Sequence, residues 1–194
     1  MASIATKLVT AIASAGVVGG AGYGVYALTD TTDSIENYLK KSSFTITLQN
    51  DEASWTKVLE TYKLEATDDL KIKDEDITQS KDIKDWCKEM LAKKIKSKDD
   101  DYKKASKWCV KYDVIKDKLG EGAKLETKAE TLNTNYNNFP KEVKDSISEI
   151  KLQGTKQHEN GEKTIQWCKQ NQNRTYSNDT EFFFANTKKY CLGS

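Results

Sequence analysis

Four cysteines are the residues with the clearest potential for chemistry in this chain. Each directly follows an aromatic residue, in the pairs Trp86-Cys87, Trp108-Cys109, Trp167-Cys168 and Tyr190-Cys191. Cysteines can form disulfides, hold a zinc ion or stay reduced inside a core. Ligands of structural zinc usually lie about two to four residues apart within a pair, and no such spacing or CxxC motif occurs here. The pattern therefore favours disulfides over reduced core cysteines, and over a zinc site.

Other side chains offer little catalytic potential. His158 is the only histidine, and it lies in the polar stretch 157–161, which predicts a solvated loop. The acidic runs 68–69 and 99–101 are typical of solvated faces, and residues 74–76 lack the spacing of a calcium loop. No HExxH, GxSxG or phosphate-binding glycine motif is present. We therefore expect a protein that is not an enzyme and that uses no cofactor or metal ion.

The landmarks of the first part of the chain recur about 80 residues later. Ile35 corresponds to Ile115, and Tyr102 corresponds to Phe184. Such ordered recurrence predicts duplication of one small module. A module copied whole carries its own bridge, which selects the pairs Cys87–Cys109 and Cys168–Cys191. The repeated aromatic residues are Trp55, Trp86 and Trp108 in the first copy and Tyr136, Trp167 and Tyr190 in the second.

The elements that must position these cysteines are predicted to be helices. Apolar residues recur at helical spacing, with predicted N-caps at Asp51, Ser80 and Asp179 and with Pro140 in a first turn. The alternating segment Phe44–Leu48 predicts one short strand or extended stretch. The fold class is therefore mainly α, with two disulfide-stapled helical modules at residues 29–119 and 120–194.

The amino-terminal segment 8–28 contains no charged residue. As a helix it would span roughly 31 Å, close to the ~30 Å hydrocarbon core of a bilayer. An uncleaved single-pass anchor is the first interpretation, and a cleaved signal peptide and a buried soluble helix are the alternatives. Lys7 before the segment and acidic residues after it place residues 1–7 in the cytoplasm and the remainder outside. Gly16, Gly20 and Gly24 share one face of this helix, which indicates a weak homodimer through the anchor.

The charge balance excludes one class of partner. The formal net charge is only +1, from 31 basic and 30 acidic residues. No basic field is available to attract nucleic acid.

Four features together resemble a known family. They are the Ala-, Gly- and Val-rich start, the segments Lys84–Lys88 and Ser106–Val110 around the tryptophan-cysteine pairs, and the aromatic-cysteine pair near the carboxyl end. The chain resembles the lineage-expanded paralogous proteins of haemotropic mollicutes, which are wall-less bacteria that live on red cells. The resemblance implies a surface-exposed repertoire that serves antigenic variation or host attachment, and it carries no catalytic residues.

These observations predict a membrane-anchored, surface-exposed, non-enzymatic antigen or host-interaction module. Its expected partners are the membrane, through residues 8–28, and a host surface protein or antibody. The alternatives are a structural subunit of the cell envelope and an enzyme that uses carboxylates or a cysteine-bound metal.

Overall fold

The computed structural model describes residues 32–73 and 76–193. These residues form nine helices and one two-stranded antiparallel ribbon, so the prediction of a mainly helical protein is confirmed. The ribbon pairs β1 (Asp33–Ser34) with β2 (Lys94–Ile95). In chain order the helices are α1 (Ile35–Lys41), α2 (Glu52–Glu65), α3 (Ser80–Ala92), α4 (Asp100–Trp108), α5 (Ile115–Lys118), α6 (Ala129–Tyr136), α7 (Lys141–Ser148), α8 (Glu159–Asn171) and α9 (Phe182–Tyr190).

The predicted anchor and its glycines at positions 16, 20 and 24 lie outside the described residues. Within the part that the structure describes, no helix has the length and apolar character needed to cross a bilayer.

Helix starts follow the predicted capping residues in some cases only. The Asp51 side chain accepts a hydrogen bond from the Ser54 N–H at 3.1 Å and so caps α2 as predicted. Ser80 is the first residue of α3 rather than its cap. The last helix is capped by Glu181, whose carboxylate accepts from two backbone N–H groups, and not by Asp179. Asp179 instead accepts a hydrogen bond from the Tyr176 hydroxyl at 2.6 Å.

The segment Phe44–Leu48 is extended, but it forms a single bridge rather than a strand. Ile46 lies opposite Val110, with hydrogen bonds from the Thr47 N–H to the Cys109 carbonyl (3.0 Å) and from the Lys111 N–H to the Thr45 carbonyl (2.8 Å). The backbone following the first disulfide is therefore held in an antiparallel contact.

The same backbone contacts recur in residues 32–113, here called the first half, and in residues 114–193, the second half. Ser34 lies opposite Lys94 in the ribbon, and Val114 lies opposite Thr175 in an isolated bridge. In both places the N–H of the next residue donates to a carbonyl at 2.9 Å. The Ile35 N–H donates to the Lys93 carbonyl, and the Ile115 N–H donates to the Arg174 carbonyl. The bridge after the first disulfide likewise has a counterpart after the second, between Leu125 and Leu192.

The second cysteine of each pair also occupies the same position. Helices α4 and α9 each contain nine residues, and a cysteine is the C-cap of both. The Cys109 N–H donates to the Ala105 carbonyl at 2.9 Å, and the Cys191 N–H donates to the Thr187 carbonyl at 3.0 Å.

The halves differ where α2 in the first is replaced by α6 and α7 in the second. Pro140 lies between α6 and α7, because its ring and missing N–H prevent one helix from continuing through it. Tyr62 contacts Trp108 with ring centroids 4.9 Å apart, and Phe139 contacts Tyr190 at 4.6 Å.

Relative to that pair of contacts, the two halves align with an offset of 77 residues, from Tyr62 to Phe139. The same offset places Trp55 opposite Leu132, and both side chains are almost fully buried. Tyr136, the predicted counterpart of Trp55, is only partly buried and packs against Phe139. Trp55 and Leu132 thus hold corresponding buried positions relative to these two aromatic contacts.

Each half has its own apolar packing. One cluster contains buried residues from Ile35 to Val110, and it includes Cys87 and Cys109. The second half contains two clusters, one around Cys168 and Cys191 and a smaller one around Ile115, Leu119 and Phe184. No apolar cluster of the described residues joins the two halves, although residues 32–73 and 76–193 belong to one compact unit. Polar side chains of the two halves contact each other, as between Glu65 and Thr175 and between Lys57 and Asp117.

We expect the fold to lose stability in acid. The pKa of Asp51 is lowered from 3.8 to about 2 by the hydrogen bond from Lys111, with further donation from Ser54. The pKa values of Asp33 and Asp69 are lowered to about 2 mainly by Lys41 and Lys103. A carboxyl with a lowered pKa stabilises the folded state above its ordinary pKa, and this contribution disappears as the pH falls through the folded-state value.

Urea unfolding midpoints should therefore fall as the pH is taken from about 4 towards about 2. Asp51→Asn keeps a capping oxygen but cannot titrate, so its midpoint should depend less on pH over this range. An equal dependence in the variant and the parent would contradict this assignment.

Candidate functional site

The four cysteines pair within each half of the chain. Cys87 in α3 is bonded to Cys109 after α4, and Cys168 in α8 is bonded to Cys191 after α9. The Cα–Cα distances are 5.5 and 5.6 Å, and all four side chains are fully buried. The predicted disulfides are confirmed, so none of these cysteines is a free thiol.

The aromatic residues before the cysteines pack in or against the apolar clusters and do not line an open site. Trp108 is fully buried, and its Nε1–H donates to the Leu70 carbonyl at 2.8 Å. Trp167 donates through Nε1–H to the Ser146 hydroxyl at 2.8 Å, which ties α8 to α7. Trp86 and Tyr190 are partly buried against the clusters of their own halves. In the first half, Trp55 donates to the Leu48 carbonyl at 2.9 Å.

A polar contact between the halves, here called the seam, is centred on Glu65, Lys107 and Thr175. The Glu65 carboxylate accepts hydrogen bonds from the Thr175 N–H and hydroxyl, both at 2.9 Å. The Lys107 ammonium lies 2.5 Å from the same carboxylate and 2.7 Å from the Thr175 hydroxyl. The Glu65 and Lys107 side chains are only 9% and 18% exposed. A carboxylate so enclosed requires these donors, because burying a charge without partners is costly.

Two further contacts extend the seam. The Thr61 hydroxyl donates to the Asn173 carbonyl at 2.8 Å, and Lys57 forms an ion pair with Asp117 at 2.7 Å. Sequence reasoning missed all of these residues, because glutamate and lysine in the last turn of a helix are typical of solvated surfaces. Only the fold brings residues 65 and 175 together.

We expect Glu65→Gln to lower the free energy of unfolding by about 2 kcal/mol, since the Lys107 ammonium would lose the charge of its buried partner. The measurement is urea unfolding followed by circular dichroism. The matched control is Glu60→Gln on the same helix, whose ion pair with Lys63 is exposed and whose loss should cost less than about 0.5 kcal/mol. Equal costs for the two variants would show that the seam contributes no more than a surface ion pair.

A cleft with a volume of ≈430 Å³ lies between α7 and α8 and is lined in part by Asn171 and Arg174. Arg174 is the only arginine in the chain. Its Nε–H donates to the Asn171 side-chain oxygen at 3.0 Å, and its guanidinium lies 4.1 Å from the centroid of the Phe183 ring. Burial lowers the pKa of Arg174, and nearby Glu65 and Glu181 oppose that shift. The guanidinium is therefore used largely in packing, and the cleft is a secondary candidate.

A second cleft, of ≈300 Å³, is lined by residues of segments 47–58 and 110–113. The two lysines that line it form ion pairs, Lys57 with Asp117 and Lys111 with Asp51. Burial raises the pKa of Tyr112, which keeps that hydroxyl protonated. Nothing in this arrangement activates a nucleophile or a general base.

His158 directly precedes α8, and its side chain makes no capping hydrogen bond. Among residues 32–73 and 76–193, no group of three or more acidic, cysteine or histidine side chains is arranged to hold a metal ion.

Comparison of the chain with models of protein families, with curated proteins and with solved structures finds no match.

Proposed function

We propose that this protein is a surface-exposed, membrane-anchored binding module that serves as an antigen or a host-contact protein and carries out no catalysis. The observation that carries the proposal is the pairing of all four cysteines in two buried disulfides. Disulfides persist in oxidising surroundings such as the cell exterior and are rare in the reducing cytoplasm. The helical body therefore belongs on the outer side of a membrane.

The amino-terminal sequence supports the same location. Segment 8–28 is uncharged and long enough to span a bilayer, and the lysine at position 7 favours a cytoplasmic start. We propose that this segment anchors the chain, and that its glycine face allows a weak homodimer. Residues after position 28 would then face the medium.

We also propose that the body arose by duplication, with copies that meet at residues 113 and 114. The repeated bridges, the capping cysteines and the aromatic contacts support this boundary. It lies before α5, because α5 follows the Val114 bridge as α1 follows the Ser34 bridge. The sequence-based boundary after Leu119 instead assigned this helix to the first copy.

Surface labelling of intact cells tests the proposed location. A membrane-impermeant amine reagent should modify the chain, which is rich in exposed lysines, and external protease should remove the body while a cytoplasmic marker stays intact. Protection of the protein on sealed cells, followed by digestion after lysis, would reject the surface location. Chemical crosslinking in native membranes then separates a lone antigen from a subunit of an envelope complex.

A further inference from the structure

The cleft between α7 and α8 contains a cation that has no bonded carboxylate. Arg174 lines this cleft, and one face of its guanidinium packs on the Phe183 ring. Its Nε–H donates to the Asn171 side-chain oxygen at 3.0 Å, and the other acceptor among the described residues is the Leu64 carbonyl, 3.5 Å from Nη1. A guanidinium has five N–H donors, so most of them have no acceptor in the described part of the chain. A charge taken out of water needs partners, so this guanidinium favours an anion at its free edge.

Two carboxylates act on Arg174 from a distance, and both are bound by other groups. Glu65 accepts from Thr175 and forms an ion pair with Lys107. The two oxygens of Glu181 accept from two backbone N–H groups at the start of α9. Burial lowers the pKa of Arg174, and the charges of Glu65 and Glu181 oppose this shift. Each carboxylate therefore has its own donors, and neither forms an ion pair with the guanidinium.

A second unpartnered donor belongs to the same cleft. Asn171 lines it with only 1% of the residue exposed, and its Nδ2 has no hydrogen-bond partner among residues 32–73 and 76–193. The oxygen of the same amide accepts from Arg174, so the unused N–H groups lie beside the guanidinium. Buried polar groups without a partner are uncommon and lower stability. Two adjacent donors therefore favour the same kind of ligand, one that offers acceptor oxygens.

The remaining lining residues set the charge and polarity of that ligand. The lining includes two cations, Arg174 and Lys151, and one carboxylate, Glu149, so its balance is one positive charge. A carboxylate matches this balance better than a phosphate ester, which carries about −1.5 to −2 at pH 7. Gln166 and Gln170 add exposed amides. Amides donate to and accept from hydroxyl groups, and Glu149 accepts from them, so the lining also suits a ligand with several hydroxyls.

Other charges on the two helices do not reverse this balance. Helix α7 contains two lysines, one glutamate and one aspartate, and α8 contains two glutamates and two lysines. Each helix is therefore neutral, and the positive excess comes from the cleft residues Lys151 and Arg174 against Glu149.

We infer that this cleft binds a small hydroxylated carboxylic acid of the sugar-acid class. The ligand carboxylate pairs with the free edge of Arg174, Asn171 Nδ2 donates to a neighbouring ligand oxygen, and the exposed amides and Glu149 bind hydroxyls. The volume of ≈430 Å³ lies within the range of about 300–1,000 Å³ that is usual for clefts that bind small molecules. This inference rests on the proposed binding function and names its ligand class.

The probes are D-glucuronate and D-glucose, which share a ring and differ in one carboxylate. Each is titrated into the full-length protein in a sugar-free non-ionic detergent and followed by ligand-detected NMR. We expect saturable binding of glucuronate and about tenfold weaker binding of glucose, because charge-assisted hydrogen bonds to Arg174 are lost. Glucose 6-phosphate tests the phosphate alternative and should bind more weakly than glucuronate.

Variants of the protein locate the site. Arg174→Lys keeps the charge but loses the planar fork, so glucuronate binding should weaken about tenfold. Lys151→Ala removes an exposed cation of the lining and should weaken it about threefold. The matched control is Lys169→Ala, which removes an exposed lysine of α8 outside the lining and should leave the affinity unchanged.

Equal binding of glucose and glucuronate, tighter binding of glucose 6-phosphate, equal effects of Lys151→Ala and Lys169→Ala, or no saturable binding would overturn the inference. Unaltered binding to Arg174→Lys would do the same. If Arg174→Lys does not fold, Lys151→Ala and the comparison of the two sugars still decide the outcome. Failure of this titration leaves surface labelling of cells unaffected, so the two proposals fail separately.

Discussion

Replacing Cys87 and Cys109 together by alanine is expected to lower the free energy of unfolding by about 3 kcal/mol. The bridge closes a loop between residues 22 apart, and its removal returns conformational entropy to the unfolded chain. Both side chains are fully buried, so the loss of two sulfur atoms from the core adds to the cost. A domain of this size has only about 5–15 kcal/mol of stability, so the variant should unfold at a clearly lower urea concentration.

The second disulfide provides the matched comparison. Cys168 and Cys191 are 23 residues apart and equally buried, so their double alanine variant should lose a similar amount. A non-reducing peptide map of the native protein should show one linked pair of peptides from each half. A link between Cys87 and Cys168, or a loss below about 1 kcal/mol in both variants, would contradict the structural role assigned to the bridges.

Gly161→Ala is expected to destabilise the protein by about 2 kcal/mol, although the substitution raises intrinsic helix propensity. Gly161 lies in the first turn of α8, where this helix packs against α6. A Cβ atom at this position would lie 1.9 Å from the Ala129 carbonyl oxygen and 2.7 Å from its carbon. Both atoms belong to backbone, so the helices must move apart to relieve the overlap.

The direction of the change in unfolding free energy distinguishes helix propensity from steric overlap. Propensity alone predicts that alanine stabilises the helix by about 1 kcal/mol, whereas the close approach predicts a loss. The control is Asn160→Ala, an exposed neighbour in the same turn, which should change stability by less than about 0.5 kcal/mol. Chemical unfolding at one pH and temperature measures both variants, and an unchanged or higher stability of Gly161→Ala would refute the close approach.

Local patterns determined much of the secondary structure. Apolar residues three and four apart predict helices because such residues lie on one helical face, and Asp51 caps its helix through a hydrogen bond that spans three residues. The aromatic-cysteine repeats indicated two bridges, and both pairs follow that pattern. Each of these inferences needed only neighbours along the chain or the comparison of one half with the other.

Contacts between residues distant in sequence were decided by tertiary structure. Glu65 and Thr175 are 110 residues apart, and neither has a neighbour in sequence that marks it as a buried partner. In the duplication that we propose, Trp55 corresponds to Leu132, and the sequence does not suggest this pair because the two positions share burial rather than aromatic character. In the sequence, Gly161 indicates a turn. Only the packing of α6 against α8 shows why a side chain does not fit at this position.

The chain by itself thus determined its helical character, its paired cysteines and its uncharged amino-terminal segment. The fold alone decided where the two halves meet and which carboxylate is enclosed between them. The physical reason is that helix periodicity and capping act over a few residues, whereas burial and edge pairing depend on which distant segments pack together.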